Sequence, residues 1–289
     1  MKLLTIQLPV NHNFFFFGDK HDGTVLTSDE GWDVLVKMLR SKYEGCSNNY
    51  AADGGDMIEA IMVDDPRYSA EKLTEPAPLE QMNVAVKRRE AIKGQLLWIL
   101  DGNHECKLWR FGNLTKDICD RLSGSKHTIE YGTYTTKATI LDDKGNLMYK
   151  VFDTHGSRSI TSRADDPIRR RTNMELILKR QLKRKAGDCA VMIKHHVHKL
   201  IVCKPESELY LTDDGENIKQ YYTGWGQNEP YIHPDARWYG CAGSLLRLYG
   251  KGTSGYAEKG EYDPTELGWL ILRVRDSKIV SLDSYYLKI

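Results

Sequence analysis

Short hydrophobic runs punctuate this chain, and five of them end on the same kind of residue. Phe14 to Phe17 form an aromatic run too short to span a bilayer, which predicts a buried strand, and Asp19 and His21 follow it at once. Tyr50-Ala51-Ala52 is a weaker strand candidate that reaches Asp56 through Gly54-Gly55, where the backbone can turn tightly. The run Leu96-Leu97-Trp98-Ile99-Leu100 stops at Asp101-Gly102 and gives way to Asn103 and His104. Tyr149 to Phe152 precede His155, and Cys189 to Ile193 precede His196 and His198. An open α/β sheet places its ligands in this way, in the crevice beyond the carboxyl ends of its strands.

Helical periodicity fills the gaps between these runs. Thr27 or Ser28 can cap a helix with Asp29 and Glu30 in its first turn and Trp32, Leu35, Val36 and Leu39 on one face. Residues 64–78 hold three prolines and no period, which predicts an irregular surface insertion able to border a site. Leu79, Met82 and Val86 mark a helix that runs to about Lys93, and Leu114, Ile118 and Leu122 mark another. From residue 128 the pattern turns to strands, with Asp142-Asp143-Lys144-Gly145 as a hairpin turn. A second sheet is expected to begin there and to continue through the C-terminal third, ending on the pair Gly268 to Val274 and Lys278 to Leu282. The fold class expected is therefore α/β: two mixed β-sheets packed as a sandwich and flanked by helices, in one domain over residues 1–289.

Composition narrows the chemistry. A hydrophobic content of 40% over 289 residues can fill such a core, and a net charge of +1 gives no global attraction to polyanions. The basic residues are concentrated between His155 and His196. There, 174–186 reads as a helix with Met174, Ile177, Leu178 and Leu182 inward and Gly187 as its C-cap. Residues 157–171 lack that apolar period and start beside His155, so Arg158, Arg169, Arg170 and Arg171 are candidates for gripping a phosphate-rich substrate. Trp225, Tyr231, Trp238, Tyr239 and Tyr256 could stack on bases or pack internally. The six cysteines form no Cys-x-x-Cys pair, and no P-loop motif is present. Cys106 reads as a buried helix residue rather than a nucleophile. Residues 1–10 are too weakly apolar for a secretory signal and no run spans a bilayer, so a soluble, cytoplasmic protein without membrane association is expected.

Asp19, His21, Asp56, Asn103, His155, His196 and His198 supply enough carboxylate, amide and imidazole donors for two divalent cations if one carboxylate bridges them. In order and spacing the motifs Asp19-Lys20-His21, Gly55-Asp56-Met57-Ile58-Glu59, Gly102-Asn103-His104-Glu105, His155 and His195-His196-Val197-His198 resemble those of the calcineurin-like metallophosphoesterase superfamily. Two positions depart from its pattern: Glu59 stands where Asp or Asn is usual, and His195 replaces a Gly.

The resemblance implies one ion held by Asp19, His21, His198 and a bridging Asp56, and a second held by Asp56, Asn103, His155 and His196. Mn²⁺ is the first choice of metal, with Fe²⁺, Zn²⁺, Ni²⁺ and Mg²⁺ as alternatives. His104 would contact the phosphate and protonate the leaving oxygen, and Glu59 would orient His104. The activity implied is phosphodiester hydrolysis by a metal-bridging hydroxide, with DNA or RNA as substrate, because the chain looks more similar to the bacterial and phage-type enzymes that include a nuclease branch. The Arg that protein Ser/Thr phosphatases carry after the second motif is absent, Ala60 standing after Glu59. A phosphomonoesterase or nucleotide phosphatase is the enzymatic alternative, and a catalytically silent metal-binding module on the same fold is the non-enzymatic one. A homodimer is the commonest assembly by prior.

Overall fold

The computed structural model describes residues 1–125, 127–224, 226–252 and 256–288. The chain begins with two strands, β1 (Lys2–Gln7) and β2 (His12–Phe17), and then α1 (Asp29–Leu39), whose first turn is capped by the Ser28 hydroxyl accepting from Gly31 N. β3 (Asn49–Asp53), α2 (Pro78–Arg89), β4 (Leu96–Ile99), the single turn α3 (Asn103–Cys106), α4 (Leu114–Leu122) and β5 (Glu130–Tyr131) follow. The hairpin β6 (Thr135–Leu141) and β7 (Leu147–Thr154) leads to α5 (Pro167–Leu182), then β8 (Val191–Lys194) and β9 (Ile201–Cys203). A two-stranded hairpin, β10 (Leu209–Asp213) and β11 (Ile218–Tyr222), stands out into solvent before β12 (Trp238–Cys241) and the final pair β13 (Gly268–Arg275) and β14 (Lys278–Tyr286).

Two six-stranded mixed sheets result, ordered β14-β13-β2-β3-β4-β5 and β1-β6-β7-β8-β12-β9. Alternation along β2 shows how they pack. Phe14 and Phe16 point between the sheets with Trp98, Ile140, Val151, Ile193 and Leu272, while Phe15 and Phe17 point away, under α1, α2 and α4. Both faces of β2 are covered, which explains why four consecutive positions can all be Phe. On the far side of the second sheet Phe152, Met192 and Tyr239 pack against Leu178 and Leu182 of α5. The layers are thus helix, sheet, sheet, helix, as the sequence pattern predicts.

Three features differ from the sequence reading. β13 and β14 join the first sheet through an antiparallel pairing with β2, not the second sheet, because a half-buried alternating strand carries no mark of its neighbour. β1 pairs in parallel with β6, although its residues show only a short apolar segment. α5 starts at Pro167, seven residues before the predicted Met174, with the Asp166 carboxylate capping it through Arg169 N. Its first turns are exposed, so they carry no apolar period to betray a helix. The insertion at 64–78 lies along the loop after His21, where Lys72 O accepts from Val25 N and the Thr24 hydroxyl. No helix among the described residues is long and apolar enough to cross a membrane.

Candidate metal centre

Loops at the carboxyl ends of β2, β3, β4, β7 and β8 converge at one edge of the sandwich. Their backbone is unusual: Asp19 (φ 50°), His21 (φ 54°), Asp56 (φ 49°), His196 (φ 73°) and His198 (φ 56°) are all left-handed without being glycine. Such conformations cost energy and persist only where the surroundings fix them, which is common at functional sites. Here Asp19 N bonds Gly55 O (2.9 Å), His21 N bonds Asp56 O (3.0 Å), and the Asp19 carboxylate accepts from His196 N (3.1 Å).

The side chains form two linked clusters, Asp19, His21 and His198 in one and Asp56, His155 and His196 in the other, with the donor atoms of each within 4.8 Å of one another. Asp56 stands between them, its Oδ2 lying 3.9 Å from His21 Nε2 and 3.4 Å from His155 Nε2. Asn103 Oδ1 is 3.1 Å from His155 Nε2, and His198 Nε2 is 3.1 Å from Asp19 Oδ1. All seven residues predicted as ligands are therefore brought together. His21 Nε2 and His196 Nδ1 are buried and have no hydrogen-bond partner among the described residues, a costly state unless something binds them. On the opposite ring atoms, His21 Nδ1 meets Glu59 Oε2 (3.0 Å) and His155 Nδ1 meets Gly54 O (2.7 Å). Metal-ligating imidazoles are held in this manner, which fixes the tautomer and aims the other nitrogen. The donor set fits two borderline or hard divalent ions.

Crowded carboxylates and imidazoles shape one another's charge. Burial disfavours a charged His155, yet Asp56 and Asp19 raise it to about 9; against the same burial, Glu59, Asp56 and Asp19 raise His21 to about 9. Burial also works against a charged Asp19, but His198 and His155 hold it at about 2. Burial and the neighbouring His155 lower His196 to about 4. Metal binding requires neutral rings, so ions entering the metal-free protein at pH 7.5 must displace the His21 and His155 protons. Calorimetric titration in buffers of different ionisation enthalpy should show about two protons released at pH 7.5, falling towards none as pH rises past 9. A heat independent of buffer would contradict this assignment.

His104 and Glu59 sit together, but not in the predicted relation. The His104 ring is edge-on to His21 (4.5 Å between centroids) and donates its Nδ1–H to the Glu59 carbonyl, while the His104 backbone N–H donates to Asp56 Oδ1 (2.8 Å). The Glu59 carboxylate turns to His21 instead. Its extra methylene carries it past His104, so it positions a ligand, while the backbone of the same residue positions His104. Of the arginines, Arg169, Arg170 and Arg171 lie on the first turns of α5, not on a loop; Arg170 bonds Ala164 O and Asp165 O, and Arg171 pairs with Glu175. Arg158 alone follows His155 closely. Trp238 and Tyr239 are buried in β12 and cannot stack on bases, while Tyr231 is exposed with Arg237 over its ring. Trp225 and the Tyr256 side chain lie outside the described residues.

Several supporting residues escaped the sequence reading. The Glu105 carboxylate accepts from Gly102 N, Asp56 N, Met57 N and Ile58 N, clamping the Asp56 loop to the Asn103 turn. Burial and the adjacent Asp56 raise its pKa to about 7. Fully buried Arg89 reaches Asp53 (2.8 Å) and Asp22 (3.2 Å), and buried Lys20 also pairs with Asp22 (3.0 Å), so the loops before and after the ligands share one ionic network. His195 bonds Asp153 (3.0 Å), which also accepts from Trp98 Nε1 (2.8 Å). A Cβ on Gly54 would stand 2.0 Å from His195 Nδ1, so the His195 ring fits only because residue 54 has no side chain. Only the charge of Arg89 on an otherwise amphipathic helix could have signalled any of this.

No protein-family profile matches the chain, and no curated protein matches it. Among solved structures it is similar to the sulfate thiohydrolase SoxB of Thermus thermophilus, in complex with glycerol, at 10% identity and a TM-score of 0.42, covering 98% of this chain and 57% of that one. It is also similar to the NAD nucleotidase NadN of Haemophilus influenzae, at 13% identity and a TM-score of 0.39, covering 96% of this chain and 50% of that one. The chain spans about half the length of these two proteins.

Proposed function

We propose that this protein is a phosphoesterase that uses two divalent metal ions and cleaves phosphodiesters, with nucleic acid as the substrate class. The observation that carries the reading is Asp56, placed between two carboxylate-imidazole clusters that keep buried, unpartnered nitrogens. Asp19, His21, His198 and Asp56 would hold one ion and Asp56, Asn103, His155 and His196 the other. Bound there, the ions supply Lewis acidity towards phosphoryl oxygens and lower the pKa of water.

The chain's own groups do the rest. Glu59 and Gly54 O aim His21 and His155, and the Glu105 clamp keeps the Asp56 loop from shifting. His104 spends its Nδ1–H on Glu59 O, which leaves Nε2 for the substrate. Burial and the neighbouring His21 push His104 down to about 4, but an anionic phosphate favours the charged ring, and charging it makes Nε2 a donor to the phosphoryl or leaving oxygen. Arg158 and Lys194, close behind His155, favour an extended phosphodiester over a small monoester.

Replacing His104 by Asn tests the reading. Turnover of bis-p-nitrophenyl phosphate should fall about 10²- to 10⁴-fold, the range for losing a general acid, with bound metal unchanged. A loss below tenfold would remove His104 from the mechanism, and loss of metal would make it a ligand instead.

A further inference from the structure

Lys194 is the last residue of β8, directly before His195 and His196, and it is only 3% exposed. Its stem is buried, and among the described residues its ammonium, which keeps contact with solvent, has no hydrogen bond and no ion pair. Its Nζ lies over Gly156, the residue after His155, where an added Cβ would stand 2.3 Å away; Gly156 is also left-handed at φ 74°. The ammonium faces a cavity of about 240 Å³ between the end of the second sheet and α5. Arg158 and Lys185 stand at its exposed mouth, Thr154 and Ser157 offer hydroxyls, and no carboxylate among the described residues lines it. Gln181 donates through Nε2 to Ser159 O, and its Oε1 is buried without a partner. Arg158 disfavours the Lys194 charge and Asp19 favours it, and two residues of the lining, Gly156 and Lys194, directly adjoin the ligand-bearing stretches at His155 and His196. Among the described residues three cations and no carboxylate line this cavity, a lining that suits an anion.

We propose that this cavity is a phosphate subsite, and that it takes the phosphoryl group adjacent to the scissile one on a substrate carrying several phosphates. The assignment of the source rests on the phosphoesterase reading, whereas the anion site itself does not. Lys194 would meet the phosphate directly, with Arg158 offering a bidentate second contact. Gly156 and Lys194 line the cavity and adjoin His155 and His195-His196 in the chain, so one extended phosphodiester chain would run from the centre into the cavity.

The test uses the metal-loaded protein and Lys194→Met, which keeps length and burial but removes charge, with Lys194→Arg as the charge-conserving control. Two substrates are compared: bis-p-nitrophenyl phosphate, with one phosphate, and a 5′-phosphorylated thymidine dinucleotide, with two. For Lys194→Met the dinucleotide KM should rise about tenfold or more, as expected for loss of a charge-assisted contact, with kcat within about twofold. The effect on the one-phosphate ester should be several times smaller, and Lys194→Arg should recover most of the loss. Equal losses on both substrates, or none, would overturn the subsite.

Calorimetric titration with inorganic phosphate is the arm independent of turnover. The wild type should bind one more phosphate per chain than Lys194→Met. If that difference appears without a change in dinucleotide KM, the pocket binds free phosphate and the substrate assignment is overturned. If the wild type hydrolyses neither ester yet the difference persists, the phosphoesterase reading fails and the anion site stands. Equal phosphate binding by both proteins overturns the site.

Discussion

Asp56→Asn should fold and yet lose both ions and activity together. The amide can keep the acceptor that His104 N uses, because Asp56 Oδ1 and Oδ2 have separate tasks. What it cannot keep is the anion between His21 and His155, and it would aim an N–H₂ group at both cation sites. Removing a partner behind a ligand costs about 10- to 100-fold in metal affinity, so loss of the shared ligand should exceed about 100-fold. Turnover of a phosphodiester should fall by about 10³-fold or more. The same change should lower the His21 and His155 pKa values in the metal-free protein, since Asp56 is one of the charges that raise them. Elemental analysis, turnover and imidazole titration by NMR check the three parts. Wild-type metal content in Asp56→Asn would remove Asp56 from its bridging place.

Arg89→Met carries the largest expected effect on stability. Its guanidinium is fully buried and bonded to Asp53, Asp22 and Ala85 O, with Trp32 against it at 5.5 Å. Burial disfavours an ionised Asp53, raising its pKa, and Arg89 is the main counterweight. Methionine would fill the space but leave buried Asp53 without its counterion, while Asp22 keeps Lys20 and Arg88, and breaking a buried pair in this way costs about 3–5 kcal/mol. For a chain of this size that is on the order of 10 °C in Tm. Because Asp22 follows His21 and Asp53 precedes the Asp56 turn, metal affinity should weaken as well. A change below about 1 kcal/mol in denaturant unfolding would mean that Asp53 finds another partner.

What could be read from the sequence divides along physical lines. Phe14 to Phe17, Leu96 to Leu100 and the runs before His155 and His196 were legible as strands because burial on both faces demands continuous apolar sequence. The ligand positions were legible because short loops tie each metal-type residue to the end of its strand. Partnership between distant elements was not legible. Nothing in Gly268 to Val274 says that it lies against β2, and nothing in Glu59 says that its carboxylate reaches His21 while its carbonyl takes His104. The start of α5 was hidden because the exposed turn carrying Arg169 to Arg171 shows no apolar period. The Glu105 clamp was hidden for a different reason: its partners are backbone N–H groups, which every sequence has.

On the proposed reading, seven side chains hold two ions that act on a phosphodiester. This reading is tested most directly by preparing metal-free protein, titrating it with Mn²⁺, and following bound metal and bis-p-nitrophenyl phosphate hydrolysis in the same sample. Two ions per chain are expected, with activity appearing as the sites fill and vanishing on chelation. A single ion per chain, or two ions with no hydrolysis of this or any nucleic-acid diester, would contradict it.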